Sequence, residues 1–506
     1  MPSVDTGCAS AGSKRVVREA TGAQEVLRQV RSRQEEQAQR EAMMRDKQSV
    51  LQHGGHPYGV QPLGNMYGGS TASIRPGLGL LMSSLEDQAL LALLELLDAR
   101  QLGLLACCSR AFYVFCHHDE LWRALVLHVF GGDFSFALSW KDTFGRCCRK
   151  QAYRPHVRRK FPGVYSDLLF QPWLCATLGI RKDWLDRCNI PRRANLSVAD
   201  FVAEYERPNR PVIVTDVATH WPALRKWSRQ YLESAFAEVS FACGPVDMRL
   251  RDFFQYADAV QEERPLYLFD KHFASKCPAL ADDYSIPPYF ATDLFSVLGE
   301  QRPDWRWLII GGARTGSTFH VDPNQTSAWN AVISGRKKWI MWPPHYHPPG
   351  VWPSEDGAET TSSASITEWF LNWYPQTQTE AVRPLECVCE AGELLFVPRG
   401  WWHCVLNLEP SIAITHNYVS EQNLLNVTDY LRDKPQCISG VPSHRRAALG
   451  QDFADALQRE RPGLLQRLEA ERASKATVTP GAPSLWEQLV PASDSSQPST
   501  FSFSFG

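Results

Sequence analysis

The sequence lacks the usual marks of a secreted or membrane protein. No apolar run approaches the roughly 20 residues a spanning helix needs. Residues 1–20 hold Lys14, Arg15 and Arg18 but no apolar stretch, so they do not read as a secretory signal. The 14 cysteines follow no framework, and the adjacent pairs Cys107-Cys108 and Cys147-Cys148 are poorly placed for ordinary bridges. Reduced thiols in nucleus or cytoplasm are therefore expected, with the nucleus favoured and Lys14–Arg18 as a basic address. Cys387-x-Cys389 has no second pair at zinc-site spacing. Charge of one sign is also missing: the net is −2, so no global field points to nucleic acid or a membrane surface. A Gly-rich phosphate loop and a nucleophile triad are absent too.

What is present falls into segments. At about 100–200 residues per domain, a chain of 506 residues has room for several. Residues 1–80 are expected to be disordered, with a Gly/Pro/Ser/Tyr-rich linker at 53–77. Leu85, Leu90, Leu91, Leu94 and Leu97 recur at helical spacing. After a break at Asp98–Gln101, Leu102, Leu105, Cys108, Ala111 and Phe112 predict a second helix, and Leu121-Trp122 a third, so 81–130 reads as a small helical module. Residues 131–183 connect it onward. Seven Lys or Arg residues fall within 146–160 without one acid, which reads either as an attractor of phosphates or acidic proteins or as solvated surface; nucleic-acid binding stays open. From 184 to 435 short extended runs alternate with Pro and Gly, among them Trp307-Leu-Ile-Ile, Lys338-Trp-Ile-Met-Trp and Ile412-Ala-Ile-Thr, predicting a closed sandwich or barrel. Residues 436–473 return to helix, and 474–506 read as a disordered Ser/Pro/Thr-rich tail.

One constellation carries chemistry. His320 and Asp322 are i and i+2, so on a strand they share a face. His403 follows a Gly392–Gly400 run that reads as strand, turn, strand. Two imidazoles and a carboxylate bind iron on one face and leave the opposite positions open for co-substrate and O₂. Lys337 follows the turn at Ser334-Gly335; buried, it would need an anion beside it. His345-Tyr346-His347 is a second i, i+2 pair but sits among four prolines. His416 should point away from its neighbour Thr415. Trp329, Trp339, Trp342, Trp401 and Trp402 suit a barrel core better than a cofactor box.

Two resemblances extend this reading. The string from Leu85 to Leu102, then Cys108–Tyr113 and Leu121-Trp122, resembles an F-box, with Glu86 where that family commonly has proline. The resemblance implies docking on a Skp-type adaptor of cullin ubiquitin ligases through residues 81–130. The run His320–Trp339, with Val397–Leu408, Ile412–Asn417, Phe201–Val212 and Pro265–Asp270, is similar to the Jumonji-C oxygenases, above all the arginine-demethylase/lysyl-hydroxylase subgroup. The implied architecture is an α+β multidomain chain: an F-box module, then a double-stranded β-helix (cupin or jelly-roll) barrel with surrounding helices. The implied ligands of Fe(II) are His320, Asp322 and His403. Lys337 would pair with the distal carboxylate of 2-oxoglutarate, assisted by Thr415 and Asn330, with Ser317 replacing the family's threonine near the co-substrate. Asn417 would contact the substrate or support the metal pocket. Expected substrates are protein side chains in a basic Lys/Arg-containing peptide or histone, with lysyl hydroxylation ahead of N-methyl demethylation. A homodimer through the C-terminal helices is implied as well. The competing readings are a ubiquitin-ligase adaptor whose barrel only binds targets, and a cupin that merely stores metal.

Overall fold

The computed structural model describes residues 55–149, 157–378 and 383–478. Expectations for residues 1–54, for Lys150 and Arg154, and for the tail beyond 478 lie outside these residues.

In chain order the strands among the described residues are β1 (Val60–Gln61), β2 (Val164–Tyr165), β3 (Arg192–Arg193), β4 (Val212–Val214), β5 (Ser240–Cys243), β6 (Val246–Arg249), β7 (Leu268–Asp270), β8 (Arg306–Gly311), β9 (Gly316–His320), β10 (Ser327–Ser334), β11 (Arg336–Trp342), β12 (Val351–Pro353), β13 (Thr360–Ser362), β14 (Leu385–Glu390), β15 (Leu394–Val397), β16 (Trp402–Asn407) and β17 (Ser411–Tyr418). A nine-stranded sheet runs β3-β4-β15-β10-β17-β8-β7-β5-β6, and a four-stranded sheet runs β14-β11-β16-β9. The two face each other as the jelly-roll sandwich that the strand pattern predicted.

Strand β11 shows how the sequence builds both faces. Trp339 and Met341 point between the sheets, where they pack with Ala328, Val332, Leu395 and Val405. Ile340 and Trp342 point outward, under Trp369 and Phe370 of the helix Ile366–Asn372. Because helices cover the outer face, the strand is apolar on both sides. Each large buried apolar side chain on this strand contributes about 1.5–3 kcal/mol. Between β10 and β11 the chain turns at Gly335 with φ 79°. A Cβ there would lie 2.3 Å from Ser411 Oγ and 2.5 Å from Pro410 O, so only glycine fits. That turn sets the register that aims Lys337 inward.

The N-terminal half departs from the expected division. Residues 53–77 were expected as linker, yet Tyr58 and Val60 are buried and β1 pairs in parallel with β2 across about a hundred residues. The aromatic residue among the turn formers decides this: Tyr58 packs on Tyr113 and His117 at centroid distances of 6.0 and 5.4 Å. The helical region is cut more finely than three helices. Asp98 and Gln101 form a capping box that starts Ala99–Leu105. Ser109 then caps a separate helix, Arg110–Phe115, so the predicted second helix breaks at Cys107-Cys108. A further helix, Trp140–Arg149, follows Asp119–Phe130. In the basic cluster, Arg146 donates to the carbonyls of Ser135 and Phe136, and Arg158 to Leu138 O at 3.1 Å, so these two cations brace the chain.

No break in the core marks the expected boundaries near 130 and 184. Leu90, Phe112, Trp122, Trp140, Met248, Tyr256 and Trp329 belong to one continuous hydrophobic cluster. At the other end, the helix Arg446–Glu460 buries Leu449, Phe453, Ala456 and Leu457 against Phe295, Leu424 and Val427. Its apolar face is thus spent within its own chain.

Candidate metal centre

Strands β9 and β16 are neighbours, with His320 directly opposite His403. Three residues earlier on β9 the register has shifted: Ser317 stands opposite Val405, only two residues from His403. Three residues on β9 therefore match two on β16, a β-bulge that turns both Ser317 and His320 to the inner face. Gly316 permits it, because a Cβ there would sit 1.9 Å from Val405 O. Asp322 follows just past the strand end. The ligating atoms of His320, Asp322 and His403 lie within 4.8 Å of one another, and the two rings are 4.1 Å apart at their centroids.

Each imidazole is oriented by the main chain. His320 Nδ1 lies 2.8 Å from Thr318 O, and His403 Nδ1 lies 3.0 Å from Trp401 O. A carbonyl only accepts, so Nδ1 carries the hydrogen and Nε2 keeps its lone pair for the shared space. Burial, and then the neighbouring His320, hold His403 well below its ordinary pKa, so it is neutral. Burial pushes the Asp322 carboxyl up, with His320 and Asn417 opposing. Asp322 Oδ2 is buried and accepts no hydrogen bond among the described residues. Such an acceptor costs about 1–3 kcal/mol unless a partner arrives. Two imidazole nitrogens and a carboxylate oxygen without a partner, on one face, fit a divalent cation, and Fe(II) with open opposite positions in particular.

Deeper between the sheets, Lys337 is 1% exposed. It lies opposite Asn407 on β16, four residues along that strand from His403, so the two ends are about 13 Å apart at the backbone. Its ammonium meets only the Tyr267 hydroxyl, at 3.3 Å, and has no carboxylate partner among the described residues. Burial pushes it down to about 7. The adjacent Lys338, on the opposite face and equally buried, is fully provided for: Glu386 lies 2.7 Å away and Arg187 O 2.9 Å. Among the described residues one lysine has its anion built in and its neighbour does not.

The remaining predicted residues can be placed. Asn330 and Thr415 are cross-strand partners on β10 and β17 and share the inner face. Asn330 Oδ1 is buried and has no partner among the described residues, while Thr415 Oγ1 donates to Trp329 O at 2.9 Å. Asn417 donates to Thr326 Oγ1 at 2.9 Å beside Asp322. His416 points the other way, against Trp329 and within 2.9 Å of the Tyr284 hydroxyl. His345 and His347 join no group of metal-ligating side chains among the described residues. Cys387 and Cys389 are buried between the sheets, and burial pushes both thiols up. Sequence reasoning missed Tyr267, Asn407 and Thr315. Asn407 Nδ2 donates to Thr315 Oγ1 at 2.8 Å beside the Lys337–Tyr267 contact. Tyr267 lies inside the quoted motif Pro265–Asp270, but nothing in the motif pairs it with a lysine 70 positions away. A cavity of about 420 Å³ opens beside the ligands, lined in part by Glu263, Arg314, Ser317, Thr318, His320 and Ser365.

The geometry gives a pH dependence. With free Lys337 at about 7, a bound carboxylate raises its pKa, so binding a short dicarboxylate such as 2-oxoglutarate takes up a proton above neutrality. Affinity is then greatest below about pH 7 and falls as pH rises, by up to about tenfold per unit, until the raised pKa of the complex is reached. Calorimetric titration at pH 8 in buffers of different ionisation enthalpy reads that proton. Binding without uptake would remove Lys337 from the site.

Several known proteins are similar to this chain in sequence. A cupin-like domain model matches residues 198–423. The arginine-specific demethylase JMJ22 of Arabidopsis thaliana is 48% identical over 465 residues, covering 88% of this chain and 89% of its own. The bifunctional arginine demethylase and lysyl-hydroxylase psr-1 of Caenorhabditis elegans is 35% identical over 289 residues, 54% of this chain and 69% of its own. The human 2-oxoglutarate and iron-dependent oxygenase JMJD4 is 30% identical over 265 residues, 47% of this chain and 63% of its own. Identity near one half along almost the full length of two chains goes beyond a common barrel, and this chain belongs to the Jumonji-C family of cupin-like oxygenases dependent on iron and 2-oxoglutarate.

Proposed function

We propose that this oxygenase acts on arginyl or lysyl side chains of basic proteins, with N-methylarginine demethylation as its principal reaction. The observation that carries the co-substrate half is Lys337, a buried ammonium with no built-in anion, set behind an open triad. For the substrate half, the relative that spans nearly the whole chain is named an arginine-specific demethylase, which moves demethylation ahead of the lysyl hydroxylation favoured from motifs alone. When bound, iron supplies the redox chemistry by which O₂ and 2-oxoglutarate oxidise a substrate C–H bond. The chain's residues orient the parts. Lys337 and Tyr267 hold the distal carboxylate, with Asn330 and Thr415 on the facing sheet. Ser317 and His320, set by the bulge, line the cavity that would take the substrate side chain. Hydroxylation of an N-methyl carbon gives an unstable product that loses formaldehyde, whereas hydroxylation of a lysyl carbon persists.

The test is mass spectrometry of methylated and unmethylated basic peptides, histone tails included, after incubation with iron, ascorbate and 2-oxoglutarate. Loss of a methyl group from arginine supports the proposal. Gain of one oxygen on lysine would replace it with the hydroxylase reading. Turnover of neither would sink the substrate assignment.

A second reading concerns the helical module. Leu81, Leu96 and Leu104, in or next to the helices between residues 79 and 105, are 77%, 79% and 62% exposed. Leucines left this open suit a protein partner. We infer docking of a Skp-type adaptor through residues 81–130. If Leu96→Asp and wild type recover equal adaptor in pull-downs, or neither recovers any, the inference fails. A nuclear address at Lys14–Arg18 is part of the same proposal; a fluorescent fusion unmoved by replacing Lys14, Arg15 and Arg18 would refute it.

A further inference from the structure

The segment 260–267 joins the helix Leu250–Ala259 to β7 and touches both halves of the molecule. On one side it is gripped by the N-terminal helices. Glu262, 9% exposed, accepts a hydrogen bond from Trp140 Nε1 at 2.7 Å, and Arg123 Nε lies 3.8 Å from the same carboxylate oxygen. The Tyr256 hydroxyl donates to the other oxygen. That hydroxyl also accepts from Leu266 N at 2.8 Å, which closes the segment into a loop. Arg264 reaches Glu120 at 3.6 Å. Trp140 is itself wedged against Phe134, Phe136 and Tyr256, at centroid distances of 5.4, 5.1 and 5.7 Å.

On the other side the same few residues form the reaction site. Glu263 accepts from Ser365 Oγ at 2.8 Å and lines the cavity that contains His320. Tyr267 meets Lys337. The segment is also a partition. A second cavity of about 470 Å³ has Ala259–Glu263 in its wall, and the cavity beside His320 has Glu263–Pro265. The carboxylate held by Trp140 and the phenol that meets Lys337 are five positions apart. A chain that short transmits a displacement of one end to the other, because the Tyr256 hydroxyl ties Glu262 and Leu266, both buried, to one point.

We propose that Glu262 is a positioning residue of the oxygenase: Trp140 and Arg123 of the N-terminal helices hold it so that Tyr267 stands at the co-substrate carboxylate, which makes those helices part of the co-substrate site. This rests on Lys337 as the carboxylate receptor. It adds to the family's barrel a determinant from outside the barrel. Trp140 and Arg123 act only through Glu262.

The experiment measures 2-oxoglutarate binding by calorimetry on the full chain loaded with Mn²⁺ in place of iron, so that no substrate is needed. Trp140→Phe keeps the ring packing and removes the indole N–H. Loss of a hydrogen bond to a buried carboxylate should weaken 2-oxoglutarate binding roughly tenfold. Mn²⁺ affinity should not change, because His320, Asp322 and His403 are untouched. Glu262→Gln, which keeps shape and loses charge, should act in the same direction. Asp133→Ala is the control, since Asp133 pairs with Arg249 at 2.7 Å across the same junction without touching the segment. It should leave 2-oxoglutarate affinity within about twofold. Equal affinity in wild type, Trp140→Phe and Glu262→Gln overturns the proposal. So does an equal loss in Asp133→Ala, which would mean general loosening. A wild type that binds Mn²⁺ but no 2-oxoglutarate overturns the carboxylate assignment of Lys337 and this inference together.

Discussion

Asp322→Ala should abolish iron-dependent conversion of 2-oxoglutarate to succinate and, at the same time, stabilise the metal-free chain. Both effects come from one atom. Asp322 Oδ2 is buried without a hydrogen bond, beside two imidazoles whose Nδ1 hydrogens are already committed to main-chain carbonyls. The carboxylate is the one negative charge in the ligand set. Without it, two imidazole nitrogens remain to hold a dication, and neither cancels its charge. In the metal-free protein the same carboxylate is a cost of about 1–3 kcal/mol, which alanine relieves. The measurement is paired: succinate formation with added iron, and the thermal midpoint in chelator. An active Asp322→Ala chain would eliminate the triad. A less stable metal-free variant would mean that a protein group already satisfies Oδ2.

Lys337→Met should behave in the same two-sided way at the other end of the pocket. Methionine nearly matches the lysine stem in length and carries no charge. Losing a charge-assisted bond worth about 1.5–3 kcal/mol should weaken 2-oxoglutarate binding by about ten- to a hundredfold, with metal affinity intact. Stability without co-substrate should rise, by about 1–4 kcal/mol if an unpaired buried ion behaves as buried ions do when replaced by apolar groups. The sign with pH follows from burial having pushed Lys337 down from 10.5 to about 7. The folded chain then binds fewer protons than the unfolded chain between those values, so the wild type gains stability as pH rises through that window. The gain from methionine should accordingly be larger at pH 6 than at pH 9. Urea denaturation at the two pH values reads it. A variant that is uniformly less stable would show that Lys337 has an internal partner.

Much of this is legible in the sequence. His320 and Asp322 announce themselves because a strand repeats every two residues, and the Gly-Trp-Trp-His403 context fixes the third ligand. The same periodicity places the adjacent Lys337 and Lys338 on opposite faces. It did not say which of them lacked an anion, because Glu386, which decides the matter, lies nearly fifty positions away. Tyr267 stayed hidden for the same reason. The bulge that turns Ser317 inward depends on a mismatch between two strands, which neither strand's own pattern reveals. The largest miss was the segment around Tyr58. Its glycines and prolines read as flexibility, but composition does not tell a floppy linker from a series of tight turns that deliver an aromatic ring to a core. Helix existence was easier to read than helix number, because Ser109 can start a helix in the middle of an apolar repeat.

The core that runs without a gap from Leu90 through Trp140 and Tyr256 to Trp329 has a consequence for cooperativity. Separable domains melt in separate steps, whereas parts that share one interior lose it together. Calorimetry of the full chain should then register a single transition in place of two. A fragment starting near residue 184 would leave Met248 and Tyr256 bare on one flank and strip Leu178 and Ile180 from Phe370 on another. Such a fragment would hold every atom of the ligand set and still lack the interior that keeps it in shape.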